Sequence, residues 1–160
     1  MANWVEPIFD RTQEDVDFAI QKINEWVEKG SSVAREVRDL KGCLNLSDLN
    51  RIEGNIDYLA RTLEEYQYNS GAICKKWTGT GLPDETDIKR ILNNVRSIID
   101  VFCQRPTAPF VPNDLLKYQQ VNDVEENLFL IKELLEIMVN SFKKSGTFNS
   151  GSTMFLPIRR

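Results

Sequence analysis

Leu46 to Tyr66, LSDLNRIEGNIDYLARTLEEY, carries Leu49, Ile52, Ile56, Leu59, Leu63 and Tyr66 at steps of three and four. That spacing draws one apolar stripe along a helix of about six turns. A chain built around such a helix must supply another apolar face to cover it. The sequence supplies one of the same kind: Val121, Val124, Leu128, Ile131, Leu135, Met138 and Phe142 repeat the stepping. The polar pattern returns with it. Asn50-x-x-Glu53-x-Asn55 recurs 72 residues on as Asn122-x-x-Glu125-x-Asn127.

Two further helices are predicted. Thr12 reads as an N-cap with Asp15 as its capping-box partner. Val16, Ile20, Ile23 and Val27 then form a buried stripe over about 13–29, widened by Trp26 and ended at Gly30. Asp84 caps the other, with Asp87 at the matching position. Its face of Ile88, Ile91, Leu92, Val95, Ile98, Ile99 and Phe102 is broad, which predicts the most buried helix. A short helix is possible at 31–41, where Val33, Val37 and Leu40 have helical spacing. Ser47 or Asp48 caps the central helix, and Gly54 interrupts it at a cost of about 1 kcal/mol relative to alanine. Glycine and turn formers fill 67–83, so no long element is expected there. Pro106, Pro109 and Pro112 stiffen the link into the last helix, about 114–144, capped by Asn113 or Asp114. Residues 1–11 read as an extended segment that Trp4, Ile8 and Phe9 pack onto the helices.

Position i compares with i+72 from the first helix through the fourth without a gap. Seventy-two residues is a whole number of turns at about 3.6 per turn, which alone would align two unbroken helices. Here two separate helices, their caps and the loop between them all stay in phase. The predicted fold is therefore all-α: four main helices from a duplicated helix–connector–helix unit, with extended N- and C-terminal segments. The units are 1–71 and 72–144, followed by an arm at 145–160.

The net charge of −4 argues against nucleic acid and against an anionic membrane surface as partners. No apolar run approaches the roughly 20 residues that span a bilayer. MANWVEPIFDRT lacks the basic-then-apolar order of a signal peptide, so synthesis is expected in the cytoplasm. The chain has no histidine, which removes the commonest general base near neutral pH and the commonest zinc ligand. Cys43, Cys74 and Cys103 are far apart and read as reduced thiols used as small apolar residues. Gly79-x-Gly81 lacks the Gly-Lys-Ser/Thr of a phosphate loop. The many carboxylates read as caps and solvated faces. No catalytic constellation stands out, so neither an enzyme nor a cofactor is expected.

Two phrases, WVEPIFDRTQEDV and LNLSDLNRIEGNIDYLA, resemble short helical modules in structural proteins of tailed phages and prophages of Gram-positive bacteria. There a Trp-Pro-Asp-Arg-Thr lead precedes a helix, and an L-N-x-x-D-L-N-R-I-E-x-N-I-x-Y-L stretch forms a second. Residues 84–136 look similar, with D-I-x-R-I-L-N-N-V, a proline-rich link, then V-N-D-V-E-x-N-L. The resemblance covers about residues 4–136. It implies a virion component of the tail, baseplate or fibre, made in the host cytoplasm and assembled with itself and with other virion proteins. Such modules often belong to longer chains carrying fibre or receptor-binding domains.

Asn50, Glu53 and Asn55, with their recurrence, have two open roles. They satisfy backbone groups at the connector between paired helices, or they recognise a partner. The candidate partner-binding residues lie elsewhere. Phe155, Leu156, Pro157 and Ile158 form an apolar cluster after a small, polar run, suited to anchoring in a groove or on a sheet edge. Met138 and Phe142 sit at the far end of the last helix, where the stripe faces either the bundle or a neighbouring subunit. The expected function is a structural, non-catalytic virion protein that works by helix packing and terminal-arm contacts. The alternative is a soluble cytoplasmic assembly chaperone or protein-binding module.

Overall fold

A computed structural model of the chain describes residues 3–30, 39–79 and 82–145. Four helices occur among them: α1 (Gln13–Lys29), α2 (Leu46–Glu65), α3 (Glu85–Val101) and α4 (Tyr118–Ser145). No strand occurs among the described residues, so the fold is all-α, as predicted.

The helix starts follow from local chemistry. Thr12 Oγ1 accepts from the Asp15 N–H at 3.3 Å, and the Asp15 carboxylate accepts from the Thr12 N–H at 2.8 Å. That backbone bond holds the Asp15 carboxyl below its ordinary range. Gly30, at φ +70°, closes α1, a backbone angle that glycine adopts without strain. Asp84 caps α3 by accepting from the Asp87 N–H at 2.8 Å.

Two starts differ from prediction. α2 is capped by Asn45, not Ser47 or Asp48. Asp48 lies inside the first turn, accepts from the Asn45 N–H at 2.9 Å and is buried. α4 begins at Tyr118, not near Asp114. Arg96 holds the Pro112 carbonyl at 2.5 Å and Asn113 Oδ1 at 3.1 Å. Asp114 Oδ1 accepts from the Leu116 N–H at 3.2 Å in a local turn. These bonds hold 112–116 outside the helix.

The core lies between α2, α3 and α4, each packed on the other two. Ile52, Ile56, Leu59 and Leu63 meet Ile91, Leu92, Val95 and Ile98, together with Val124, Leu128, Ile131 and Leu135. Residues of both halves of the chain contribute to this one core. Burial of such side chains contributes about 1.5–3 kcal/mol each, before the entropy of ordering them. α2 is more buried than α3, contrary to expectation: besides its two neighbouring helices it carries the segments at Val5 and at 75–77.

α1 does not join that core. Of its predicted stripe, Val16 and Ile23 are half-buried, while Ile20, Trp26 and Val27 are exposed; only Ala19 is buried. The reason lies just upstream. The segment at 4–11 runs across α2 and α4 and covers the face that a fourth helix would need. The Trp4 ring packs on Tyr58 of α2 at 5.7 Å between centroids, and Phe9 packs on Phe129 of α4 at 5.5 Å. α1 is instead pinned at its start by the turn before α2. A Cβ on Gly42 would stand 2.1 Å from the Asp15 carbonyl oxygen and 2.6 Å from Val16 Cα. Glycine is required there by close approach of two backbones. The short helix considered at 31–41 falls mostly outside the described residues.

Candidate functional site

Extended segments normally satisfy their backbone in a sheet. Here the side chains of neighbouring helices take that role. Asn55 Oδ1 accepts from the Val5 N–H at 2.9 Å, and its Nδ2 donates to the Val5 carbonyl at 2.7 Å. Asn50 clasps Trp77 in the same way, at 2.9 and 3.1 Å. Asn94 clasps Ile73, at 3.2 and 2.8 Å. Asn122 clasps Arg11, at 3.3 and 3.0 Å. A carboxamide carries an acceptor beside a donor, so one side chain reproduces one rung of a ladder. Asn127 meets proline, which has no N–H. Its Nδ2 donates to the Pro109 carbonyl at 2.9 Å, and its Oδ1 accepts from Gln104 Nε2 at 2.7 Å instead.

The two glutamates of the repeated pattern combine a backbone bond with an ion pair. Glu53 accepts from the Lys75 N–H at 3.1 Å and from Trp77 Nε1 at 3.1 Å, and it pairs with Arg90 at 2.5 Å. The pairing raises the Arg90 pKa above its ordinary value. Trp77 is buried between that carboxylate and the Lys75 ammonium, which stands 4.0 Å from its ring centroid. Glu125 accepts from the Ile8 N–H at 2.9 Å and pairs with Arg11 at 3.0 Å and Arg51 at 2.7 Å. Asp48 completes this group by pairing with both arginines. Burial works against the charge on Arg51, but the Glu125 and Asp48 carboxylates outweigh it and its pKa rises. Two cations thus meet two anions, and no net charge is left in a largely buried place. Removing one member of such a group costs about 3–5 kcal/mol.

The repeated residues therefore hold backbone within the fold, as the first of their two roles has it, but at the N-terminal segment as well as at a connector. Asn50 and Glu53 hold the connector at 75–77, whereas Asn122 and Glu125 hold the N-terminal segment at 8–11. The first two members of each pattern thus secure the segment leading into the other half's first helix, while the third holds elsewhere, Asn55 at Val5 and Asn127 at Pro109. The connector was legible as a region without long elements. That Trp77 belongs to the core was not predicted, though a tryptophan among glycines and lysines was a signal for it.

The candidate partner-binding residues divide. Met138 packs against the core, so the α4 stripe faces the bundle at that point. Phe142 is 52 % exposed and stacks on Tyr66 at 5.7 Å between centroids. Phe155, Leu156, Pro157 and Ile158 lie outside the described residues. Apolar side chains not singled out from the sequence are strongly exposed: Ile73, Leu82, Phe110 and Leu116. Among the described residues no cluster of carboxylates and thiols is arranged to hold a metal ion, and no helix is long and apolar enough to cross a membrane. Compared with family models, curated proteins and solved structures, the chain matches none of them.

Proposed function

We propose that this protein is a structural, non-catalytic component of a phage tail, baseplate or fibre. It acts by packing against further copies of itself and against other virion proteins in the tail region. One observation carries the reading. The buried polar side chains of the clasps are spent on holding the protein's own backbone, while Phe18, Ile20, Trp26 and Val27 of the amphipathic helix α1 stay exposed. A helix with that many exposed apolar side chains suits assembly. The resemblance of the Leu-Asn-Arg-Ile-Glu-x-Asn phrase to phage structural modules favours the virion over other assemblies.

The test is whether the chain stays in finished particles. Cells producing both the chain and its particles are lysed, particles are banded on a density gradient, and their protein content is read by mass spectrometry. Retention at a fixed copy number through repeated banding is expected. A chain found in the lysate bound to particle proteins, yet missing from banded particles, is an assembly chaperone, and the virion reading fails.

A further inference from the structure

α1 presents Ile20 and Val27, two turns apart on one side, at 52 % and 72 % exposure. A shallow groove beside Ile20 is lined by Asp17, Gln21, Asn24, Glu25 and Glu28. The surface is thus apolar along one line and acidic along the next. A matching segment is apolar and basic together. This chain carries one: beyond Glu136 it has no acidic residue, and it ends Phe155-Leu156-Pro157-Ile158-Arg159-Arg160.

Reach alone does not exclude a chain's own arm, and the assembly reading above selects a neighbour's. α1 starts where Arg11 is clasped by Asn122, near the beginning of α4. From Asn122 to Ser145 the helix rises ~35 Å. Residues 146–155 at full stretch span at most about 33–36 Å. At full stretch a chain's own Phe155 therefore comes level with the first turn of α1. A second copy presents its arm from any direction.

We propose that residues 155–160 of one copy dock on α1 of another, the apolar residues on Ile20 and Val27 and the arginines beside Asp17 and Glu28. This rests on the assembly reading above and names the contact that would produce it.

The experiment uses full-length chains with Cys103, the exposed thiol, replaced by serine. One carries Val27→Cys and the other Ile158→Cys. The two are mixed and oxidised gently, and mass spectrometry of the digest identifies the bonded pair. Wild-type mass by light scattering is measured alongside. A bond between 27 of one chain and 158 of the other is expected, in at least about tenfold excess over a Leu82→Cys control, since docking raises effective concentration to the millimolar range. It should fall with Asp17→Lys and with added salt. A multimer without that bond overturns the docking and leaves the assembly reading standing. A monomer without it overturns the docking and the packing against further copies, and the virion reading then stands or falls on the banded particles. A bond that forms only within a doubly substituted chain overturns the exchange between copies.

Discussion

Asn55 holds Val5 by both of its backbone groups, at 2.9 and 2.7 Å, across 50 residues of sequence. The Asn55 side chain is fully buried on α2, so it ties the N-terminal segment to the central helix. Asn55→Ala leaves the Val5 N–H and carbonyl without these partners, at about 1–3 kcal/mol. Urea denaturation should show that loss. Hydrogen exchange separates the cause: the Val5 amide should exchange faster, while amides of Ile91 and Val95 in α3 keep their rates relative to global unfolding. Uniform acceleration would mean that the clasp is not a local tie.

Glu125 is the shared acceptor of two arginines. Glu125→Gln keeps a carbonyl oxygen for the Ile8 N–H but leaves Arg11 and Arg51 with only Asp48 to balance them. The expected loss is about 3–5 kcal/mol, large against the usual 5–15 kcal/mol of a domain. Adding Arg11→Met in the same chain should restore part of it, because one uncompensated cation is then removed. A double variant no more stable than Glu125→Gln alone would show that the charge balance is not what matters there.

Much of this arrangement was legible in the sequence. The α2 and α4 stripes and the caps at Thr12 and Asp84 follow from spacing and local hydrogen bonding, both of which are short-range. The repeated Asn-x-x-Glu-x-Asn pattern marked the clasps but not what they hold, because the held residues lie far off in sequence: Val5 for Asn55, Arg11 for Asn122. The exposure of α1 was hidden for the same reason. Its apolar spacing is as regular as that of a buried helix. Only the long-range placement of 4–11 over α2 and α4 shows that its place in the core is taken.

The two helix-associated glycines should respond in opposite directions. A Cβ at Gly54 meets nothing within 4 Å, so this glycine is not there for close packing. Gly54→Ala should raise stability by about 1 kcal/mol through helix propensity alone. At Gly42 the same methyl runs into the backbone of Asp15 and Val16. Gly42→Ala should lower stability by about 1–3 kcal/mol, as other overpacking changes do, and loosen α1 in particular. Denaturation curves of the two variants, with exchange of the α1 amides, check both signs.

Cys74 links stability to alkaline pH. Burial, then the nearby Glu53 and Asp57 carboxylates, push its thiol up to about 12 from an ordinary 9.0. Below pH 9 the thiol is protonated in both folded and unfolded chains, and its contribution to stability is fully present. Between pH 9 and 12 only the unfolded thiol ionises, so the folded state holds the extra proton and stability falls as pH rises. Tyrosines and lysines titrate in the same range, so the comparison must be with Cys74→Ala. Its stability should start lower, from lost packing, and decline less steeply between about pH 9 and 11 in urea titrations. Parallel declines would mean that the folded thiol ionises as readily as the unfolded one. Alkylation by iodoacetamide at pH 8.5 gives an independent reading of the same thiol: Cys103, exposed and shifted up by burial alone, should react first, and Cys74 last.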